Sequence, residues 1–156
     1  MSILIPEFSK RMDELPILLN EIMNAPPKHL SERNQLPKTG AIYVIYEDET
    51  PLYTSRTKNL RQRMGNHTSG RAEQSAFAFK LTREKTGKMK ATYKPEGSRK
   101  QLAKDPEFMK ALQECTERVK KMSVRFASIN DPITQHLFEV YVALALETPY
   151  NEFKTS

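Results

Sequence analysis

The chain has 156 residues, of which 38% are apolar and 28% charged, and its single cysteine excludes an internal disulfide. This length fits one domain with modest additions, and the composition allows a core to form without disulfides or metals. The sequence contains no apolar run of membrane-spanning length, and we expect no signal peptide. We therefore expect no membrane partner and, by default, a cytoplasmic setting.

The positive charge is concentrated in one part of the chain. The net charge is +6, and residues 56–100 alone hold 13 Lys and Arg against 3 Asp and Glu. A polyanion such as nucleic acid is the obvious partner for a block of this kind. On charge alone, a solvated basic loop or an interface with an acidic protein remains an alternative.

The first predicted element is helical. Residues 7–24 carry apolar side chains at near-helical spacing, and Pro16 interrupts the pattern, which predicts one bent helix or two short ones. Residues 25–39, which contain three prolines, are predicted to be a connecting loop. We interpret residues 1–36 as an N-terminal helical extension.

A hairpin and two helices are predicted next. Residues 41–46 are apolar, β-branched and aromatic, which predicts a strand, and residues 52–54 are its expected return strand. Asn59 is the expected N-cap of a short helix, and residues 74–84 are predicted to form another. From residue 85 to 104 the pattern is lost, which predicts a mobile basic loop.

The last three predicted elements are a helix, a strand and a helix. Asp105-Pro106 and Asp131-Pro132 are start signals for helices, the second of which is expected to run to about Glu147. Between them, residues 122–127 alternate as a half-exposed strand does. The element order predicts an α+β fold with a small antiparallel sheet.

Three sets of residues are candidates for catalysis or for binding. Tyr43 and Tyr53 are expected to approach each other across the hairpin, although strand tyrosines usually serve packing. Arg63 and His67 share a helix face at i, i+4 spacing, which suits a phosphate, although a solvated basic face is the alternative. Glu139 lies in an apolar helix and needs a cation, either a divalent metal or an Arg.

These residues fall in a recognisable order. Gly40-Ala41-Ile42-Tyr43 is followed by Tyr53-Thr54-Ser55, then by the segment 56–63 and His67, and later by Glu139 and Tyr150-Asn151. This order resembles the signature of GIY-YIG nucleases over roughly residues 39–68 and 122–153. The resemblance implies a three-stranded antiparallel sheet flanked by helices, a nuclease domain over residues 37–156, and an insertion at about 69–120.

The resemblance also implies roles. Tyr43 or Tyr53 would lie beside the attacking water, with Tyr43 favoured as general base, and His67 would support the water or the leaving group. Arg63 would stabilise charge on the phosphate, and Asn151 would close the site. Glu139 would be the sole protein ligand of one Mg²⁺ or Mn²⁺ ion. A tyrosine base needs its pKa lowered by the metal or by nearby cations.

The predicted partner is nucleic acid, DNA in preference to RNA, and a homodimer remains open. The predicted contacts to nucleic acid are basic side chains of residues 56–90: Arg56, Lys58, Arg61, Arg71, Lys80, Arg83, Lys88 and Lys90. Ala41 and Ser55 replace the two motif glycines, and Ser55 adds a side chain beside the expected phosphate site. A nucleic-acid-binding module without catalysis and a protein-interaction module are therefore the alternatives to a metal-dependent DNA endonuclease.

Overall fold

The computed structural model of the protein describes residues 5–87 and 98–151. Its centre is an antiparallel sheet of four strands in the order β1-β4-β2-β3. The strands are β1 (Lys28–His29), β2 (Ala41–Glu47), β3 (Thr50–Thr57) and β4 (Ser123–Ser128). Helices flank the sheet, so the α+β class is confirmed. The sheet has one strand more than the three expected, because residues 28–29 pair with β4 instead of forming only a connecting loop.

The described part of the chain contains six α-helices that flank the sheet, and a 3₁₀ helix spans Leu30–Gln35. The α-helices are α1 (Pro6–Asn24), α2 (Leu60–His67), α3 (Ala76–Thr86), α4 (Arg99–Leu102), α5 (Pro106–Lys120) and α6 (Pro132–Leu146). Side chains of the expected caps Asn59, Asp105 and Asp131 accept hydrogen bonds from the first turns of α2, α5 and α6. Such caps satisfy amide groups that have no partner within the helix.

Two predictions about irregular segments need correction. Pro16 lies inside the single helix α1, so the alternative of two short helices is wrong. The segment 85–104 was expected to be a loop, but α3 extends to Thr86 and α4 covers Arg99–Leu102. A helix of four residues is too short to show hydrophobic periodicity. Residues 88–97 of that segment lie outside the described residues.

The two faces of the sheet carry different helices. One face packs against α2, α3 and α5, and its core includes Tyr43, Tyr53 and Phe77. The other face packs against α1 and α6, and its core includes Ile22, Val44 and Phe138. We call these the basic-side face and the α1/α6 face, because the helices α2 and α3 lie within the basic segment 56–100.

A β-bulge shapes the hairpin. The register shifts between Ile45, which pairs with Tyr53, and Tyr46, which pairs with Pro51, so Leu52 is the extra residue. Both Leu52 and Tyr53 consequently belong to the basic-side core, although neighbouring strand residues normally point to opposite faces. The bulge thus turns Leu52 to the face on which Tyr53 already lies through its pairing with Ile45. In the described part of the chain, no helix is long and apolar enough to cross a membrane.

Candidate functional site

Three predicted site residues meet on the basic-side face. The Tyr43 hydroxyl shares a hydrogen bond of 2.8 Å with Nε2 of His67, and Nε of Arg63 donates to the same hydroxyl at 3.4 Å. Strand β2 supplies the tyrosine, and one turn of α2 supplies both the guanidinium and the imidazole. Tyr43 and His67 are fully buried, whereas Arg63 is partly exposed. The expected i, i+4 pair therefore converges on a tyrosine hydroxyl.

Tyr53 completes this cluster. Its ring lies edge-on to the His67 ring, with centroids 6.0 Å apart, and stacks on Phe77 at 5.1 Å. Lys80 Nζ lies 5.3 Å from the centre of the Tyr53 ring and donates a 2.8 Å hydrogen bond to the backbone oxygen of Tyr150. An ammonium over an aromatic face is attracted by the ring quadrupole. Both tyrosine rings contact the ring of His67, so Tyr43 and Tyr53 belong to one cluster.

Burial sets the protonation states in the cluster. It raises the pKa of Tyr43 above its ordinary value, Tyr53 adds to this rise, and Arg63 and Ser55 offset it in part. Burial also lowers the pKa of His67 to about 3, with a contribution from the charge of Arg63. Both groups are therefore neutral near pH 7. Nδ1 of His67 is buried and has no hydrogen-bond partner among the described residues.

The replaced motif glycines cause no backbone strain. Ala41 and Ser55 lie within regular strand pairs, and neither has a positive φ. The Ser55 side chain is buried, and its hydroxyl opposes the rise that burial causes in the pKa of both tyrosines. Close approach of backbone occurs instead at Gly40, where an added Cβ would lie 2.8 Å from the backbone oxygen of Ile129. Ser55 therefore fills space beside the tyrosine cluster.

Glu139 lies on the other side of β3. Its carboxylate forms an ion pair with Arg56, the residue after Ser55, and the two side chains are 15% and 42% exposed. Burial raises the pKa of Tyr53, and the charge of Glu139 adds to that rise. The carboxylate itself lines a cleft of the α1/α6 face together with side chains of α1. The sequence left a metal and an Arg open as the partner of Glu139. The Arg is present.

The donor set limits the kind of metal that fits here. Within residues 5–87 and 98–151, no group of three or more His, Cys, Asp or Glu side chains is arranged to hold a metal ion. Mg²⁺ keeps most of its waters and is commonly held by one or two carboxylates together with substrate phosphates. Glu139 alone therefore fits an ion that binds together with a phosphate.

Asn151 is hydrogen-bonded to the outer edge of β3. Its Oδ1 accepts from the Thr54 amide at 2.8 Å, and its Nδ2 donates to the Thr54 carbonyl oxygen at 2.6 Å. The Thr148 hydroxyl also donates to Oδ1 at 2.7 Å, and the Tyr150 amide donates to the Leu52 oxygen. The end of the described chain thus covers the strand that carries Tyr53, and Asn151 supports the site through the backbone.

The predicted nucleic-acid contacts divide into groups. Lys80 and Arg83 lie on α3 beside the aromatic cluster, and Arg56 is paired with Glu139. Arg61 donates to the Leu36 backbone oxygen at 2.8 Å, which gives it a structural contact. Lys58 and Arg71 are exposed. Lys88 and Lys90 lie outside the described residues.

Arg99 is a neighbour of the site that the sequence did not single out. Its guanidinium lies 4.5 Å from the centre of the Phe79 ring, and the guanidinium of Arg83 lies 4.7 Å from the same centre. Residue 99 belongs to the segment expected to be loop, so no periodicity indicated its position. The only indication of Arg99 in the sequence was the high proportion of Lys and Arg in residues 56–100.

Comparison of the chain with protein-family models, with curated proteins and with solved structures found no match. The resemblance to GIY-YIG nucleases therefore rests on the residues quoted above.

Proposed function

We propose that this protein is a metal-dependent endonuclease that hydrolyses phosphodiester bonds of nucleic acid, DNA in preference to RNA. The observation that carries the proposal is the contact of Tyr43 with both His67 and Arg63, beside Tyr53. A cation, a neutral imidazole and two phenol groups in one cluster match the needs of phosphoryl chemistry, which are charge stabilisation and proton movement. Arg63 and His67 also lie in the basic segment 56–100, which the two tyrosines precede.

Each residue has a distinct part in this proposal. Arg63 neutralises charge that develops on the phosphate oxygens, since its guanidinium is partly exposed and always protonated. The Tyr43 hydroxyl and Nε2 of His67 hold one proton between them in a 2.8 Å hydrogen bond, with both groups neutral, and so orient the phenol beside Arg63. Glu139 would hold the divalent ion, which when bound supplies a Lewis acid next to the phosphate. Arg56 must release Glu139 before the carboxylate is free to do so.

Two observations favour a second candidate, a nucleic-acid-binding module without catalysis. Tyr43 is fully buried and its pKa is raised, mainly by burial, which is opposite to what a tyrosine base needs at neutral pH. Arg56 also occupies the carboxylate that is the metal ligand of the first candidate. Under this second proposal the chain binds DNA with strong salt dependence and cuts nothing.

Cleavage assays separate the two candidates. Supercoiled plasmid and labelled single-stranded, duplex and branched oligonucleotides are incubated with the protein and Mg²⁺ or Mn²⁺. The endonuclease proposal expects nicking that is lost in Glu139→Gln and in Arg63→Ala, while Lys10→Gln on α1 behaves as the unaltered protein. The proposal is wrong if no DNA form is cut with either metal.

A Ser55→Gly variant adds a further comparison. Ser55 is buried and pairs with Tyr43 across the hairpin, so removal of its side chain opens space beside the tyrosine cluster. If the unaltered protein binds DNA without cutting it and Ser55→Gly cuts, the scaffold is that of a nuclease blocked at this position. Turnover by the unaltered protein would end the binding-module candidate. Failure to bind any nucleic acid at low salt would favour a protein-interaction module instead.

A further inference from the structure

We propose that a cleft beside α4 is a second phosphate-binding site, which holds the backbone of the nucleic-acid strand one or more nucleotides away from the reacting phosphate. The ligand class is a phosphodiester group, and the residues that would contact it are Arg99, Lys100 and Lys104, next to Arg83. This inference rests on the proposed function in one respect, namely that nucleic acid is the partner.

The first support is the cleft itself. It has a volume of about 500 Å³ and is lined by Ala72, Glu73, Arg99, Lys100, Ala103 and Lys104. Three of the four charged side chains in this lining are cationic, so the cleft favours anions. Arg99, Lys100 and Lys104 are exposed, and none of them forms a salt bridge with a carboxylate of residues 5–87 or 98–151.

The second support is the arrangement of two guanidinium groups. Arg83 and Arg99 both lie within 5 Å of the centre of the Phe79 ring, at 4.7 and 4.5 Å. Burial lowers the pKa of Arg83, and the nearby charge of Arg99 lowers it further. Two like charges that approach each other are stabilised by an anion that both can contact. The aromatic ring holds the exposed Arg99 in place, which reduces the entropy lost when it binds a phosphate.

The third support is continuity with the candidate active site. Burial raises the pKa of Tyr53, and Arg99 and Arg63 are both among the cations that oppose this rise. Lys80 lies over the Tyr53 ring on the same helix as Arg83. Lys80 and Arg83 lie one turn apart on α3, and Arg83 and Arg99 share the Phe79 ring, so the cations follow α3 from the Tyr53 ring to the cleft. A strand whose scissile phosphate lies at Arg63 would meet the cleft with a neighbouring phosphate.

Glu73 is the one acidic residue of the lining, and it is exposed. It reduces the positive charge of the cleft without cancelling it. It also supplies an informative variant, because Glu73→Gln removes the opposing charge without touching a cation. We expect Glu73→Gln to bind nucleic acid more tightly than the unaltered protein does.

The test measures binding and not cleavage. Fluorescence anisotropy with a labelled duplex oligonucleotide, in EDTA, gives the dissociation constant between 50 and 200 mM salt. Each phosphate contact contributes about 0.9 to the slope of log K against log salt for duplex DNA. Arg99→Ala should lower that slope by about 1 and weaken binding about 5- to 10-fold, largely independently of sequence. Lys100→Gln/Lys104→Gln should lower the slope by up to about 2.

Two controls accompany these variants. Lys10→Gln removes one exposed positive charge from α1, on the opposite face of the sheet, and should leave the slope unchanged. Because Arg99 packs on Phe79, the Lys100→Gln/Lys104→Gln variant tests the cleft even if Arg99→Ala folds poorly. Far-UV circular dichroism and thermal unfolding confirm that each variant is folded.

The outcomes distinguish the cleft from the proposed function. If the unaltered protein binds DNA and the cleft variants match Lys10→Gln, the second phosphate site is wrong, while the nuclease proposal survives. If the slope falls as expected but no DNA is cut, the cleft is supported and catalysis is not. If the unaltered protein binds no nucleic acid at 50 mM salt, both proposals fail together.

Discussion

The imidazole of His67 lies against Tyr43 and Tyr53, and within residues 5–87 and 98–151 only its Nε2 has a hydrogen-bond partner. Protonation at Nδ1 would place a charge where no acceptor lies, beside a guanidinium. The lowered pKa of His67 has these physical origins, with burial the larger. The ring is thus suited to accept or donate one hydrogen bond while uncharged, and unsuited to act as a cation at neutral pH.

The first prediction concerns pH. The pKa of His67 falls to about 3 in the folded chain and is near its ordinary 6.5 when unfolded. Between these values the unfolded chain binds the extra proton, so folding stability rises with pH and is lost as the pH falls. The loss attributable to His67 is at most about 1.4 kcal/mol per pH unit between about 6 and 3. Urea unfolding at several pH values measures it.

The matched variant for this measurement is His67→Phe, which removes the titrating group and keeps an aromatic ring. Its stability should fall less steeply below pH 6 than that of the unaltered protein. His29 and His136 are both exposed and remain in both proteins. Equal slopes for the two proteins would contradict the assignment of the pH dependence to His67.

The second prediction concerns the Tyr43 hydroxyl. Tyr43→Phe removes the partner of Nε2 and leaves His67 with no partner at either nitrogen. A buried polar group without a partner costs about 1–3 kcal/mol, so the variant should be folded but less stable by about that amount. Under the endonuclease proposal it should also lose about 100-fold or more of its cleavage rate. Chemical denaturation and single-turnover cleavage measure the two effects.

Tyr46→Phe is a suitable control, since Tyr46 lies on the α1/α6 face of the same strand. It should change cleavage little. A Tyr43→Phe variant that cuts at the rate of the unaltered protein would remove the hydroxyl from the mechanism, whatever its stability.

At the residue scale, spacing predicted that Tyr43 approaches Tyr53 and that Arg63 and His67 share a helix face, whereas the resemblance alone implied that they meet in one site. Alternation in a hairpin and the i, i+4 rule depend only on local geometry. The complete burial of Tyr43 and the burial of Ser55 were not predictable in this way. They depend on how closely α2 and α3 pack on the sheet, which involves residues distant in sequence.

The ion pair between Glu139 on α6 and Arg56 on β3 links this helix to the sheet. Glu139 is largely covered, while Arg56 is more exposed and anchored less firmly. Partly exposed ion pairs contribute modestly to stability, at about 0–1 kcal/mol. The pair is therefore easily exchanged for another cation that binds the carboxylate better.

The third prediction follows from this exchange. Arg56→Gln frees the carboxylate and should raise the affinity for Mn²⁺ about 2- to 5-fold, the equivalent of an ion pair of up to about 1 kcal/mol. Glu139→Gln should abolish the same binding. Electron paramagnetic resonance of free Mn²⁺ measures both in the absence of DNA.

Arg118→Gln provides the comparison, because Arg118 is about as exposed as Arg56 and forms an ion pair with Glu47 at 2.7 Å, although Glu47 is more exposed than Glu139. Freeing that carboxylate should not raise Mn²⁺ affinity if Glu139 is the metal ligand. An equal effect of the two Arg variants would show that any released carboxylate binds the ion weakly, and would argue against a specific site.

At the element scale, the sequence predicted elements with strong end signals and missed short or irregular ones. Helices α5 and α6 begin at the predicted Asp-Pro pairs, because an Asp cap followed by Pro acts locally. Strand β1 has two residues and exists only because β4 pairs with it. The bulge at Leu52 likewise depends on the pairing of the two hairpin strands, and no single residue type signals it.

Charge is unevenly distributed between the two sides of the whole molecule. Helix α2 carries Arg61 and Arg63 and no acidic residue, whereas α1 carries four acidic and two basic side chains. These helices lie on opposite faces of the sheet. A polyanion is thus attracted to the basic-side face and repelled by α1.

The fourth prediction tests this asymmetry. On addition of duplex DNA at low salt, hydrogen exchange should slow in α2, α3 and α4 and remain unchanged in α1. Mass spectrometry of the exchanged peptides measures this directly. Slower exchange confined to α1 and α6 would contradict a nucleic-acid surface on the basic-side face, and raising the salt concentration should reverse any electrostatic protection.

At this scale the sequence predicted the α+β class and the location of the basic segment, since both follow from element order and composition. It did not predict which face of the sheet the basic segment would cover. That outcome depends on the direction in which α2 leaves β3, which the chain turn at residues 58–59 determines. The predicted boundary between residues 36 and 37 stays a prediction, although α1 buries Leu15 and Ile22 in the core of the α1/α6 face.

The hydrogen bonds of Asn151 have a consequence for association between molecules. β3 is an outer strand of the sheet, and such strands offer unpaired amide and carbonyl groups to strands of other molecules. Asn151 and Tyr150 occupy three of these groups on Thr54 and Leu52. Asn151→Ala should therefore increase self-association, which light scattering at increasing concentration would detect, while it lowers the unfolding temperature only slightly. Asn151 then limits aggregation by occupying the hydrogen-bonding groups at the outer edge of β3.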